Sequence, residues 1–406
     1  MKMRLKVAFR NITRHRLRSL LSICMISGAV TSMIIFRGFS QYTLDAIKKI
    51  AAENQFGHMQ IAKEKFWNPG TEGRKERMYD SSELVKLKDS HPELDNISGR
   101  LSFFGLVSNG DLSIGAKVVG VDTINETSFS ESMRILDGKF FISTDSKEAM
   151  IGALLAKQMN VKPGDNIVIL TNTIDGVMNA MDISVTGIFS AGIDEIDAQV
   201  IYLPLKTAQQ ILDTANVDVA VLKFKKLEMA EPLAYKMDSD AKKIIPDLQV
   251  KTWRELAQFF KQVDAFFGMQ NRIIEGILLA LMFLGILNTV SMTVVERTGE
   301  IGTLRSLGES RKDIVKQFLL ESILVALISI LVGLIFSVIV IQFIHMSNIM
   351  TDMPGASVPF QVRVIFMASS VIYSSFLAIV TTAIATLIPA IRASKMDIVS
   401  ALRKNI

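Results

Sequence analysis

The chain has 406 residues, 49% of them hydrophobic, and 45 Lys and Arg against 40 Asp and Glu give a net charge of +5. A mean hydropathy of +0.34 is too apolar for an ordinary soluble enzyme of this size, so the chain reads as a membrane protein. Cys24 is the only cysteine, which excludes an intrachain disulfide, and the basic excess lacks the interleaved aromatics that would point to nucleic acid.

In chain order, residues 1–16 place Leu5, Ala8, Phe9 and Ile12 at helical spacing between Lys and Arg, which predicts an interfacial helix on the inner leaflet. A span follows at 17–40, with an apolar run from Ser19 to Phe36; crossing ~30 Å of hydrocarbon takes about 20 helical residues. The basic stretch before it also suits a signal peptide, but the run exceeds a usual h-region and no A-x-A-like site follows, so an uncleaved span is expected. Leu44, Ile47, Ile50 and Ala51 carry the helical stripe through 41–57 as a stalk, with Gly57 at C′.

Residues 58–251 predict a mixed α/β domain with strands at 58–61, 103–107, 117–121, 166–170, 183–189, 200–203 and 219–224. Phe66 to Tyr79 reads as an exposed loop, and Pro163 with Gly164 suits a type II turn. Leu256, Phe259, Phe260, Val263, Phe266 and Phe267 then keep helical spacing into the next apolar run. One helix is expected from Thr252 to Val295, roughly 65 Å long and about twice what a bilayer needs, forming a stalk at 252–272 and a span at 273–295. A charged connector at 296–317, a span at 318–345, an outer loop at 346–363, a span at 364–391 and a tail at 392–406 complete the chain. The predicted fold class is a membrane protein with four transmembrane α-helices, a helical stalk and a large extracytoplasmic α/β domain. Lys and Arg crowd the segment before the first span, the connector and the tail, which places all three on the cytoplasmic side.

No G-x-x-x-x-G-K-[ST] phosphate loop occurs, since Gly138-Lys139 is followed by Phe140, and neither a G-x-S-x-G elbow nor H-E-x-x-H is present. His15, His58, His91 and His345 are scattered over different segments. Asp194, Glu195 and Asp197 form an acidic cluster for which a solvated loop is the simpler reading and a cation site stays open. Glu321 is an intramembrane carboxylate close enough to the inner leaflet to meet the connector, and Arg37 at the outer end of the first span suits snorkelling or a lipid phosphate. In the connector, Ile301, Leu304 and Leu307 have helical spacing, Gly308 can end that helix, and Ser310 with Asp313 resembles a capping box opening the next. Its apolar knobs suit a groove on another protein, with Glu300, Arg305 and Arg311 as rim charges; a tight amphipathic connector fits the same spacing.

The run from Glu296 to Ile314, E-R-x-x-E-I-G-x-L-R-x-L-G-x-x-R-x-x-I in outline, resembles the FtsX-like, MacB-type ABC transporter permease family, as do Ala8-Phe9-Arg10-Asn11-Ile12 and the ending from Pro389-Ala390 to Ala401-Leu402-Arg403. Ile398 stands where that family usually has proline. The resemblance implies a transmembrane subunit of a mechanotransmitting (type VII) ABC transporter that works as a dimer, not itself an enzyme. It binds no cofactor in this chain, ATP and Mg being held by a separate partner ATPase. Its coupling helix would fall on Glu300, Ile301, Leu304, Arg305 and Leu307, with Arg311 beside them. Gly57-His58-Met59-Gln60-Ile61, Phe104-Gly105-Leu106-Val107-Ser108 and Val119-Gly120-Val121-Asp122 are most similar to the lipoprotein-releasing (LolC/LolE-like) permeases, which implies a porter-like domain with an inserted lobe at about 136–204.

That likeness implies a bacterial inner-membrane protein with both termini cytoplasmic and the large domain periplasmic. Its expected partners are a second permease copy or paralogue, membrane lipids, a lipoprotein or other amphiphilic cargo, and a periplasmic chaperone or adaptor. Phe36, Arg37, Phe39, Phe259, Phe260, Phe266 and Phe267 are the candidate lining of a cavity for that cargo, with packing between stalk helices as the alternative for each phenylalanine. Two other functions are weighed beside release: tripartite efflux of macrolides, peptides or siderophores, and a signalling module controlling a cell-wall hydrolase.

Overall fold

A computed structural model describes residues 16–68, 73–123, 126, 133–141, 143, 145–351 and 360–396. The expected interfacial helix before residue 16 and the tail beyond residue 396 lie outside the described residues. The chain divides into two compact units, one of Met1–Leu44, Val263–Ile349 and Gln361–Ile406, the other of Asp45–Gln262 and Met350–Phe360.

Helix α1 (Arg16–Lys49) runs into a π-helical turn at Ile50–Gln55. Gly57 ends it with φ +71°, and a Cβ there would meet Val221 Cγ1 at 2.1 Å, so both backbone and packing demand glycine. There follow β1 (Met59–Lys63), α2 (Glu64–Trp67), α3 (Arg74–Arg77), α4 (Lys86–Ser90), β2 (Leu94–Ser108) and β3 (Ser113–Val121). Next come β4 (Arg134–Gly138), β5 (Glu148–Gly152), α5 (Ala153–Met159), β6 (Asn166–Asn172), β7 (Met178–Ser190), α6 (Asp194–Gln199), β8 (Val200–Pro204) and α7 (Leu205–Leu212). The domain ends with β9 (Val219–Phe224), α8 (Ala230–Ile244), β10 (Leu248–Thr252) and α9 (Trp253–Leu256).

The ten strands share one sheet in the order β10-β1-β9-β2-β3-β8-β5-β7-β4, and β6 bridges β7 back to β2. Strands β2, β3, β8, β5, β7 and β6 therefore close into a six-stranded ring, with β1, β9 and β10 as a wing on β2 and β4 on β7. Alternate residues of the ring, Leu101, Phe103, Val118, Ile151, Ile167, Ile169, Ile183, Val185 and Ile201, are buried in one core with Ala208, Ile211 and Leu212 of α7. The opposite phase of β3, β5 and β8, Val119, Val121, Met150 and Tyr202, packs a second cluster with Phe141 and Phe189. Residues 136–204 supply β5 to β8 to this ring, so the stretch expected as an inserted lobe shares its sheet and its core with the flanking strands.

Several expectations are corrected. The single helix expected from Thr252 breaks at Ala257, where ψ is 74°; Thr252 ends β10 and caps the short α9 in a capping box with Glu255. The stretch from Phe66 to Tyr79 carries α2 and α3, and its end is not exposed: Met78 and Tyr79 are buried, with the Tyr79 hydroxyl donating to Ile61 O at 2.6 Å and accepting from Ala220 N at 3.0 Å. The proline-glycine turn forms as expected, with Gly164 at φ +100° and Asp165 N donating to Lys162 O at 3.1 Å.

The acidic cluster is not a solvated loop at its centre. Asp197 is fully buried and accepts from Ala191 N at 2.7 Å and Ser190 Oγ at 2.6 Å, which pins the β7–α6 turn. Among the described residues no group of three or more His, Cys, Asp or Glu side chains is placed to hold a metal ion. His58 and His91 are buried as well: His58 Nδ1 accepts from Phe224 N at 3.0 Å, and His91 faces Asp240 at 3.0 Å.

The other unit completes the helices with α10 (Gln258–Glu296), α11 (Thr298–Ser306), α12 (Arg311–Ser347) and α13 (Ala368–Ser394). Among the described residues four helices are long and apolar enough to cross a membrane, α1, α10, α12 and α13. Small residues line their buried faces: Ala326, Ser329, Gly333 and Ser337 on α12, and Ser370, Ser374, Ala378, Thr382 and Ala385 on α13. In a bilayer, where apolar surface gains nothing by leaving lipid, such close backbone approach supplies the packing. Thr31 Oγ1 on α1 adds a hydrogen bond to Gly333 O at 3.0 Å.

Replacing Asp197 with Ala leaves a buried N–H and hydroxyl without their acceptor. The expected cost is about 2 kcal/mol, read as a lower denaturation midpoint with faster hydrogen exchange confined to residues 190–197.

Candidate functional site

The connector between the second and third spans is built by successive helix ends. Helix α10 stops at Glu296, Arg297 takes a non-helical ψ of 16°, and α11 runs nine residues to Ser306. Gly308 then adopts φ +96°, its N–H bonding Arg305 O at 3.2 Å while Glu309 N bonds Leu304 O at 3.1 Å. This pair of bonds is a Schellman motif, which turns the chain sharply and satisfies the last carbonyls of α11. Ser310 caps α12, accepting from Asp313 N at 3.3 Å and donating to Asp313 Oδ2 at 2.5 Å.

Arg297 anchors the turn. It is 8% exposed, its Nη1 reaches both carboxylate oxygens of Glu321 at 3.1 and 2.9 Å, and its Nε donates to Glu300 at 2.9 Å. The guanidinium also lies 5.6 Å from the centre of the Phe318 ring. Glu321 thus meets the connector, as its depth in the third span suggests. Arg305 reaches the other way: its Nη1 donates to Ser394 O at 2.8 Å, covering a terminal carbonyl of α13.

Of the six connector residues singled out by sequence, two face inward. Ile301 is 4% exposed in the core of the spans, beside Val294, Ile314, Ala390 and Ala393, and Leu304 packs against the same cluster. The expectation that Ile301 is a knob for a partner's groove is corrected, because the chain's own helices already cover it, while Leu304 is only half-buried. Glu300, Leu307 and Arg311 remain exposed, Leu307 at 78%, together with Thr303, Ser306 and Lys312.

The candidate cavity residues differ in burial. Phe260 is buried against Trp253, with ring centres 5.0 Å apart, and Phe267 is buried edge-on to Phe39 at 6.4 Å, so both serve packing. Phe36 and Phe39 are half-buried, whereas Phe259 and Phe266 are exposed. Arg37 is paired within the protein: its Nε donates to Glu275 at 2.5 Å and its guanidinium lies 3.9 Å from the centre of the Tyr373 ring. Tyr373 in turn donates to Glu275 at 3.3 Å, and Glu275 is 7% exposed.

Sequence reasoning missed Glu275, Tyr373 and the pairing of Arg18 with Glu296. A signal was available for the charges. Arg18 and Arg37 lie 19 residues apart on the first span, and Glu275 and Glu296 lie 21 apart on the second, so antiparallel helices bring both opposite pairs level.

Removing one partner of a buried pair leaves the other charge stranded, at a cost of about 3–5 kcal/mol. Arg297→Leu should therefore lower the thermal midpoint of the purified protein sharply, and adding Glu321→Leu should restore most of it. Additive losses in the double variant would show that the two side chains do not act as a pair.

Comparison with known proteins adds two family models. Residues 19–234 match the MacB-like periplasmic core domain and residues 272–398 the FtsX-like permease C-terminal. The chain is 24% identical over 361 residues to the uncharacterized ABC transporter permease YknZ of Bacillus subtilis, covering 81% of this chain and 84% of that one. It is 23% identical over 420 residues to the macrolide export ATP-binding/permease protein MacB of Campylobacter jejuni, covering 98% of this chain and 61% of that one. The lipoprotein-releasing system transmembrane protein LolC of Xylella fastidiosa is 26% identical over 276 residues, 63% of this chain and 64% of that one.

Proposed function

The chain belongs to the FtsX-like permeases with a MacB-like periplasmic core domain, ABC transporter permeases of the MacB and LolC type, and from that premise we propose that it couples ATP hydrolysis by separate ATPase subunits to movement of its outer domain. The observation that carries this reading is the seating of α11. Ile301 lies in the core of the spans with Leu304 packed against it, Arg297 is fixed to Glu321 on α12, and Arg305 holds the end of α13, while Glu300, Leu307 and Arg311 stay outside. A push on those outward residues is delivered to three spans together. The Lys and Arg bias supports a cytoplasmic connector and cytoplasmic termini.

In this mechanism two copies, or this chain and a paralogue, collect an amphiphile such as a lipoprotein from the outer leaflet of the inner membrane and pass it to a periplasmic acceptor. The exposed Phe259 and Phe266 are the cavity candidates that remain available to an acyl chain. Export of a macrolide, peptide or siderophore is the second reading. It is favoured by the reach of the match, 98% of this chain with the macrolide exporter against 63% with LolC.

Leu307→Asp and Arg311→Glu, both at exposed positions, should leave the melting temperature within about 2 °C of the parent, because surface changes usually fall within ±0.5 kcal/mol. Each should reduce co-purification of the ATPase and permease-stimulated hydrolysis at least tenfold; full stimulation in both would overturn the coupling role of α11. Mass spectrometry of the co-purified complex separates the cargo readings. Acylated polypeptide or lipid cargo supports release, and a stable adaptor complex without acylated cargo supports export.

A further inference from the structure

A cleft of about 230 Å³ opens on the outer face of the β-ring, floored by alternate residues of β1, β9, β2, β3 and β8. Its floor is polar at Gln60, Arg100, Ser102 and Lys117, and its walls are apolar, formed by Phe66 and Trp67 on α2 and Ile196 on α6. Ligand sites of small molecules share this mixture of apolar wall with a few convergent polar groups.

The charges of the floor are unequally committed. Arg100 is buried and paired with Glu126, with its Nη1 donating to Gln55 O at 2.5 Å. Asp218 is held by Arg74 at 3.1 Å and by Ser102 N at 2.8 Å. Lys117 lines the cleft, its side chain partly in contact with solvent and its ammonium crowded by the floor, and it has neither a hydrogen bond nor an ion pair among the described residues. Desolvation in the cleft, and then the neighbouring Arg100 charge, push its ammonium below the usual lysine range against the opposing pull of Asp218. A cation so crowded gains from any anion that reaches it, more than a freely solvated surface lysine does.

We propose that this cleft binds a small anionic amphiphile, with its carboxylate or phosphate on Lys117 and its apolar body against Phe66, Trp67 and Ile196. The site is independent of the cargo reading given above, because all of its residues belong to the domain that contains the β-ring. Lys117 supplies the charge recognition and the aromatic walls exclude water from the tail.

Trp67 gives the test a local reporter. The full-length protein in lipid nanodiscs is titrated with 11-bromoundecanoate, whose bromine quenches tryptophan only at short range. The expected result is saturable quenching that disappears in Trp67→Phe, weakens at least tenfold in Lys117→Met, and stays within threefold of the parent in Lys117→Arg. Ile196→Glu, which puts a carboxylate on the opposite wall, should abolish the effect by a separate route. Undecanoate should compete and inorganic phosphate should not. Equal competition by phosphate would reduce the site to one for simple anions and overturn the amphiphile assignment. Quenching that survives Trp67→Phe, is unchanged in Lys117→Met, or is matched by 11-bromoundecanol would overturn the site itself.

Discussion

An ion pair between two helices holds them level with each other, and three such pairs organise the membrane unit. Arg18 meets Glu296, Arg37 meets Glu275, and Arg297 meets Glu321. Between them they tie the first span to the second at both ends, and the second span to the third. Apolar packing among these helices has little directional preference in lipid, so registry falls to the pairs and to the small-residue contacts they align. The connector inherits its orientation from the same constraint. Once Arg297 is bound to Glu321, α11 leaves at a fixed angle, Ile301 turns inward and Leu307 outward.

The two faces of α11 divide the work of a short helix. Its inner face belongs to the core that also holds Ile314 on α12 and Ala390 on α13, so displacement of α11 cannot be absorbed locally. Its outer face is small, with Leu307 as the large apolar side chain left uncovered among charged and polar neighbours. Gly308 and Ser310 hold the turn without long side chains, keeping the approach to that face open.

Much of this was legible in the sequence because lipid imposes long, uniform apolar runs and because helix ends need particular residues. Gly57, the proline-glycine turn and the Gly308-to-Asp313 exit all follow from local chemistry and are found as expected. What was not legible depends on distant partners. Strand β4 is exposed at every position and shows no alternation, while β5 is only five residues long, and both exist because β7 lies beside them. Asp197 reads as a solvated acid in sequence, and only the returning β7–α6 turn makes it a buried acceptor. In α11 the helical stripe was visible but not which residues of it the chain itself covers, since that depends on where α12 and α13 pass.

The ring of β2, β3, β8, β5, β7 and β6 carries a mechanical consequence. An open sheet can shear or peel along an edge, but a closed ring has no free edge among its own strands, and parting any one seam strains the others. Such a body transmits torque without changing shape and yields as a whole or not at all. Load applied to the barrel should therefore be spent at its attachments, in the π-helical turn at Ile50–Gln55 and the break at Ala257, where the backbone already departs from the regular helix.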